Sequence, residues 1–73
     1  MENFNSSYFY KALESQHRGQ IDEARAVLHT YFTNSVGVGE HSELLKDFNK
    51  WLEVINRAEE SLVNLKKHFG GGA

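Results

Sequence analysis

Residues 43–69, ELLKDFNKWLEVINRAEESLVNLKKHF, decide the fold of this chain. The stretch contains neither Pro nor Gly, and its apolar residues recur in alternating steps of four and three. This spacing places them on one helical face as a heptad seam, which is typical of a helix that packs lengthwise against other helices. At about 1.5 Å per residue the helix would be about 40 Å long. The seam consists of Leu44, Phe48, Trp51, Ile55, Ala58, Leu62, Leu65 and Phe69.

The whole chain has 73 residues, no Cys and a net charge of −2 at pH 7. Its length predicts a single domain. The absence of Cys excludes disulfides and thiolate metal sites, and the four His are not spaced as helical ligand pairs, so we expect no metal and no cofactor. A chain this short buries only about 60% of its unfolded surface, which makes oligomerisation the expected source of additional stability.

Charge and hydropathy also bear on the partners and the compartment. The small net charge argues against a nucleic-acid or anionic-membrane partner. No apolar run approaches the ~20 residues that span a bilayer. The opening residues, MENFNSSYFYK, lack the basic and then apolar pattern of a secretory signal. We therefore expect a cytoplasmic protein, either of the source cell or of a host cell if a virus encodes it.

Two shorter helices are predicted before the seam helix, at about residues 6–17 and 20–33. Gly19 is expected to end the first one, because Gly enters the left-handed region at no steric cost. The short turn between them predicts an antiparallel αα-hairpin. The predicted inner face of the first helix carries Phe9, Ala12, Leu13 and Gln16. That of the second carries Ile21, Ala24, Leu28 and either Tyr31 or Phe32, with Val27 beside them.

The remaining segments complete an all-α prediction for a single domain over residues 1–73. Residues 34–41, which include two glycines alternating with two valines, are expected to form a loop. The seam helix is expected at about 42–69, followed by a flexible tail at 70–73. The predicted architecture is a short antiparallel αα-hairpin packed on a long third helix. This three-helix arrangement would be completed by oligomerisation.

Small and apolar residues at the predicted turn and helix faces are spaced as in a known repeat family. They are Ala12, Gly19, Ala24, Leu28 and Tyr31. With these residues, the segment 8–32 resembles a single tetratricopeptide-type helical hairpin. In that family the small residues allow close helix packing, and successive repeats form a groove for peptides. The resemblance therefore implies hairpin geometry, although this chain has one copy where a stable array needs three or more.

The predicted helix lengths point to a surface for self-association. Helices of 12–14 residues reach only about 20 Å, so the hairpin would cover about half of the long helix. The uncovered half of the seam would form an exposed apolar stripe, and a two-fold dimer is the commonest way to bury one. The predicted homo-oligomer interface, with a dimer favoured, consists of Ala58, Leu62, Leu65 and Phe69.

Aromatic and basic residues of the first helix form a second candidate surface. Tyr and Arg are common anchors of protein interfaces, and the cations could also hold an anion. This candidate patch for a protein partner or a ligand consists of Tyr8, Tyr10, Lys11, His17 and Arg18.

Two functions remain open on this evidence. The first is a non-enzymatic, homo-oligomeric protein–protein interaction module, such as an adaptor, an inhibitor or an accessory subunit, with an unidentified protein partner. The second is a helical bundle that sequesters a small anionic molecule, such as a nucleotide, between subunits. A DNA-binding helix-turn-helix is disfavoured, because Asp22 and Glu23 would open its recognition helix. An enzyme is not expected, because no motif supplies an activated nucleophile, a paired carboxylate or a phosphate loop.

Overall fold

The protein is an antiparallel hairpin of two long helices. The computed structural model describes residues 2–33 and 41–70, and the side chains within residues 7–33 and 43–70. Helix α1 spans Glu2–Thr33 and helix α2 spans His41–Leu65, which continues into a π-helical turn at Lys66–Gly70. The described ranges contain no strand, so the all-α prediction is confirmed.

Contacts at the two ends of the hairpin show that the helices are antiparallel. At one end, the rings of Tyr31 and Phe48 lie 5.3 Å apart, centroid to centroid. At the other end, Gly70 lies so close to Tyr10 that a Cβ on Gly70 would be 2.5 Å from the Tyr10 hydroxyl oxygen. We call the first the connecting end, because residues 34–40 join the helices there, and the second the terminal end.

The predicted break at Gly19 is wrong, because α1 runs through it as a continuous helix of 32 residues. The hairpin expected from helices 6–17 and 20–33 is therefore absent, and so is the tetratricopeptide-type geometry of residues 8–32. A Gly inside a helix costs about 1 kcal/mol relative to Ala. A large apolar side chain gains about 1.5–3 kcal/mol when it is fully buried, and α1 half-buries both Leu62 and Leu65 of α2, so tertiary packing outweighs the local preference for a break.

The predicted boundaries of the seam helix agree with the structure. Helix α2 begins at His41, one residue before the predicted start, and the helical conformation ends at Gly70. The loop predicted at 34–41 and the tail predicted at 70–73 are each wrong by one residue, because His41 and Gly70 are helical, and their other residues lie outside the described ones.

The hairpin is a narrow rod with a thin core. It measures 57 × 15 × 14 Å, and its radius of gyration is 16.6 Å. A compact domain of this length would have a radius of about 11 Å. Within the described side chains, the buried hydrophobic residues are Ala24, Leu28 and Ala58. Small residues at two of these three positions allow the helix backbones to approach closely.

The inner face of α1 has one phase along the whole helix. In its second half the face is as predicted: Ala24 and Leu28 are buried, and Ile21 and Tyr31 are half-buried. Since a continuous helix keeps this phase, steps of seven residues place Tyr10, Glu14 and His17 on the same face in the first half. These three residues are half-buried.

The predicted inner face of the first half of α1 is accordingly wrong. Phe9 is 71% exposed and Leu13 is 41% exposed. Ala12 and Gln16 are exposed as well. A separate short helix could have turned Phe9 and Leu13 inward, but in a continuous helix their orientation follows from residues 21–31.

Candidate interaction surfaces

The seam of α2 packs on α1 of the same chain over most of its length. Its seven residues from Leu44 to Leu65 are all buried or half-buried, as the heptad spacing predicts. The contact of Tyr31 with Phe48 sets the register. Two steps of seven residues along each helix then bring His17 opposite Leu62, and three residues further Glu14 lies opposite Leu65. The first half of α1 thus presents polar side chains to an apolar part of the seam.

An aromatic cluster closes the connecting end. Phe48 meets the ring of Tyr31 edge-on, and it stacks on the ring of Phe32 at 4.9 Å between centroids. The Tyr31 hydroxyl donates a hydrogen bond of 3.5 Å to Asp47 Oδ2. Aromatic pairs of this kind contribute about 0.5–1.5 kcal/mol beyond burial, so they help to hold the two helices in register.

Large apolar side chains on one side of this cluster remain exposed. Phe32 is 72% exposed, Leu45 59% and Leu52 48%. Leu45 and Leu52 lie three residues before and four residues after Phe48, so all three share one helical surface onto which Phe32 stacks. We call Phe32, Leu45 and Leu52 the connecting-end patch. In the sequence, Leu45 and Leu52 are marked by their seven-residue spacing beside the seam, and Phe32 by being the alternative to Tyr31 on the inner face of its helix.

A groove of about 930 Å³ opens at the terminal end. Phe9, Leu13 and Phe69 form much of its apolar wall, while Lys11, Glu14 and His68 add polar groups. Phe69 is 73% exposed, although the heptad spacing placed it on the seam. The π-helical turn explains the difference, because its wider turn shifts the phase of the residues that follow.

The residues predicted to form a homo-oligomer interface do not make one exposed stripe. Ala58 is 1% exposed, and Leu62 and Leu65 are half-buried. The hairpin was predicted to cover only about half of the seam helix, and this is wrong because α1 has 32 residues and reaches along the whole of α2. Phe69 is the exposed member of the set. Self-association itself stays a prediction.

The predicted patch for a protein partner or a ligand is divided between two faces. Tyr10 and His17 lie on the inner face of α1, where His17 Nδ1 is 3.1 Å from Gln20 Oε1 in a hydrogen bond. Tyr8, Lys11 and Arg18 are exposed. The patch therefore does not converge on one point.

The ion pairs of the hairpin lie on its surface and join neighbouring turns. Arg18 Nη2 lies 3.4 Å from Glu14 Oε2, and Arg57 Nε lies 3.2 Å from Glu53 Oε2. Exposed pairs at this spacing contribute only about 0.3–0.5 kcal/mol each. The pair between Glu14 and Arg18 matters more for recognition, because it compensates the charge of one of the predicted anion-binding cations.

No group of three or more His, Asp or Glu side chains in the described residues is arranged to hold a metal ion. Neither α1 nor α2 is long and apolar enough to cross a membrane.

Comparisons with known proteins leave the surface geometry as the basis for a functional conclusion. No protein-family model, no curated protein and no solved structure matches this chain.

Proposed function

We propose that this protein is a non-enzymatic interaction module whose hairpin completes its core against helices of another chain, in the first place a second copy of itself. The observation that carries the proposal is that a rod of two helices has one contact layer and leaves large hydrophobic side chains exposed along its length, from Phe9 to Phe32 on α1 and from Leu45 to Phe69 beyond it. Helix bundles cover such side chains with further helices, and the described residues of this chain form only two.

The distribution of apolar side chains supports the same proposal. Eight large hydrophobic side chains are exposed in the described part of the chain, whereas three hydrophobic residues there are buried. A core of that size is thin for a chain of 73 residues, and short chains of this kind commonly gain stability by oligomerisation. Covering a large apolar side chain contributes about 1.5–3 kcal/mol before the cost of association.

A dimer formed in this way would leave other surfaces for a further protein partner, as expected of an adaptor, an inhibitor or an accessory subunit. We propose the cytoplasm of the source cell, or of a host cell, as its location. A nucleic-acid or membrane partner is not part of this proposal, since a net charge of −2 favours neither.

The alternative function, sequestration of a small anionic molecule, has weaker support. The terminal groove is large enough for such a ligand, and Tyr10, Lys11 and His68 line it. Glu14 lines the same groove, and its carboxylate also pairs with Arg18. A carboxylate at this position would repel an anion, so the groove favours an uncharged or apolar ligand over a nucleotide.

Sedimentation equilibrium at micromolar concentration tests the proposed function. We expect a dimer of about twice the 8.4 kDa chain mass, which dissociates on dilution. The melting temperature should rise with protein concentration, because association stabilises the folded chain by mass action. A single 8.4 kDa species with a melting temperature independent of concentration would overturn the proposal.

A further inference from the structure

The connecting-end patch belongs to a side of the hairpin with an uneven distribution of charge. Residues seven apart lie on one face of a helix, so each helix contributes one column of side chains to this side. All of them are exposed. The α1 column consists of Lys11, Arg18, Arg25 and Phe32, and the α2 column consists of Leu45, Leu52, Glu59 and Lys66. The connecting half is therefore mainly apolar, and the terminal half is charged and mainly positive.

A shallow depression lies next to Phe32 on α1. Its volume is about 490 Å³, and Arg25, Leu28, His29 and Phe32 are among the residues that line it. Leu28, which is 7% exposed, provides its apolar floor. The ring of Phe32, 72% exposed, stands at one end of the depression. One surface thus carries both a protruding aromatic ring and a depression beside it.

We propose that a second copy of this chain packs on this side in an antiparallel orientation, with a two-fold axis between the ring and the depression. The proposal rests on the proposed function and names the surface that carries it. Phe32 of each copy then lies in the depression of the other, next to Arg25, and Leu45 of each copy meets Leu52 of the other. Such reciprocal contacts define a two-fold interface.

The spacing of the residues allows one axis to satisfy both sets of contacts. Phe32 and Arg25 are seven residues apart on α1, with their midpoint next to Leu28. Leu45 and Leu52 are also seven residues apart on α2, with their midpoint next to Phe48. Since Phe48 contacts Tyr31 across the hairpin, the two midpoints lie within about one helical turn of the same level.

The depression selects the antiparallel orientation over the parallel one. In a parallel two-fold dimer, α1 would face α2 of the second copy at equal height, so Lys11 would face Lys66 twice and Arg18 would face Glu59 twice. These repulsive and attractive pairs offset each other, whereas Phe32 would meet Leu45 of the second copy and the depression beside it would stay uncovered. The antiparallel dimer overlaps only the connecting halves, over about four helical turns, and leaves these lysines in solvent. Its Arg25 lies beside the Phe32 ring of the second copy, a favourable cation–π arrangement.

The dissociation constant of matched variants tests the surface. An overlap of about four turns is about 20 Å along a rod of 57 Å, which is at the small end of stable interfaces, so we expect a weak dimer with a dissociation constant in the micromolar range. Phe32→Ala should weaken the dimer about tenfold or more, as truncation of an interface aromatic does. Phe9→Ala is the matched control, because Phe9 is 71% exposed on the same helix at the other end, and it should change the constant less than twofold.

Disulfide trapping tests the orientation, because the chain has no Cys of its own. A mixture of Leu45→Cys and Leu52→Cys chains should form the mixed disulfide in the antiparallel dimer. A mixture of Arg25→Cys and Leu52→Cys chains should do so in the parallel one.

Leu45→Gln provides a second surface variant beside Phe32→Ala. Circular dichroism shows whether each variant keeps its helices.

The outcomes separate this inference from the proposed function. A wild-type chain that is monomeric at every concentration overturns both. A wild-type dimer whose dissociation constant is unchanged by Phe32→Ala and by Leu45→Gln overturns the surface only. A dimer that is weakened by Phe69→Ala instead would place the interface at the terminal end. The orientation is overturned if a mixed disulfide forms between Arg25→Cys and Leu52→Cys chains but not between Leu45→Cys and Leu52→Cys chains.

Discussion

Replacing Gly19 by Ala distinguishes a continuous α1 from two helices joined by a turn. In the structure Gly19 lies inside α1 and is exposed, and a Cβ at this position would meet nothing within 4 Å. The new methyl group therefore fits without displacing any neighbour. Ala is favoured over Gly inside a helix by about 0.5–1 kcal/mol, mainly because it restricts the unfolded chain. We expect Gly19→Ala to stabilise the protein by that amount.

Thermal unfolding followed by helical circular dichroism measures the effect. For a domain of this size, a gain of 0.5–1 kcal/mol corresponds to a rise in Tm of about 2–8 °C. The variant and the wild type must be compared at equal concentration, because association also stabilises the fold. Ser15→Ala is a suitable control. It lies at an exposed position that is helical both in the structure and in the predicted helix 6–17, so a gain of a few tenths of a kcal/mol is expected either way.

The opposite sign would refute the continuous helix. If Gly19 were a left-handed turn residue, the added Cβ would be disfavoured and Gly19→Ala would destabilise the protein by about 1 kcal/mol or more. A decrease in Tm of several degrees with Gly19→Ala, together with a small increase for Ser15→Ala, would mean that the chain turns at Gly19.

Two further substitution pairs probe the helix contacts. Ala24 is fully buried between the helices, so Ala24→Leu should lower the free energy of unfolding, measured in urea, by about 1–3 kcal/mol. Ala12 is exposed, so Ala12→Leu should change it by no more than about 0.5 kcal/mol. Equal effects of the two substitutions would contradict the observed inner face of α1. A Cβ at Gly70 would lie 2.5 Å from the Tyr10 hydroxyl oxygen, so Gly70→Ala should lower Tm. The decrease should be smaller when Tyr10 is replaced by Phe, which removes that oxygen. If the changes in Tm of the two single variants simply add in the double variant, the two residues do not touch.

Sequence reasoning succeeded where the deciding interactions are local and periodic. The seam of α2 from Leu44 to Leu65 and the inner residues Ile21, Ala24 and Leu28 of α1 occupy the faces that their spacing predicts. The same reasoning failed for Phe9 and Leu13, whose spacing is just as regular. Their orientation is determined by residues 21–31 of the same helix. The inner positions of a continuous helix recur at regular steps, so the residues that face inward in the second half also decide which ones face inward in the first half.

The candidate surfaces were less predictable than the helices. The sequence left undecided whether Tyr31 or Phe32 lies on the inner face of α1. Tyr31 occupies the inner position, so Phe32 is exposed. Ala58, Leu62 and Leu65 were assigned to a second chain, because a helix that ended at Gly19 would not reach them. One wrong boundary therefore placed the expected interface on residues that are buried or half-buried within the hairpin.

The sequence by itself determined the helical class, the seam of α2 and the limits of that helix within one or two residues, because helix periodicity and Gly positions are local properties. Only the tertiary structure decided that α1 passes through Gly19 and that the terminal half of the seam is covered within the same chain. The local cost of Gly in a helix is about 1 kcal/mol. The compensating burial comes from Leu62 and Leu65, more than forty residues further along the chain, where no local pattern around Gly19 can show it.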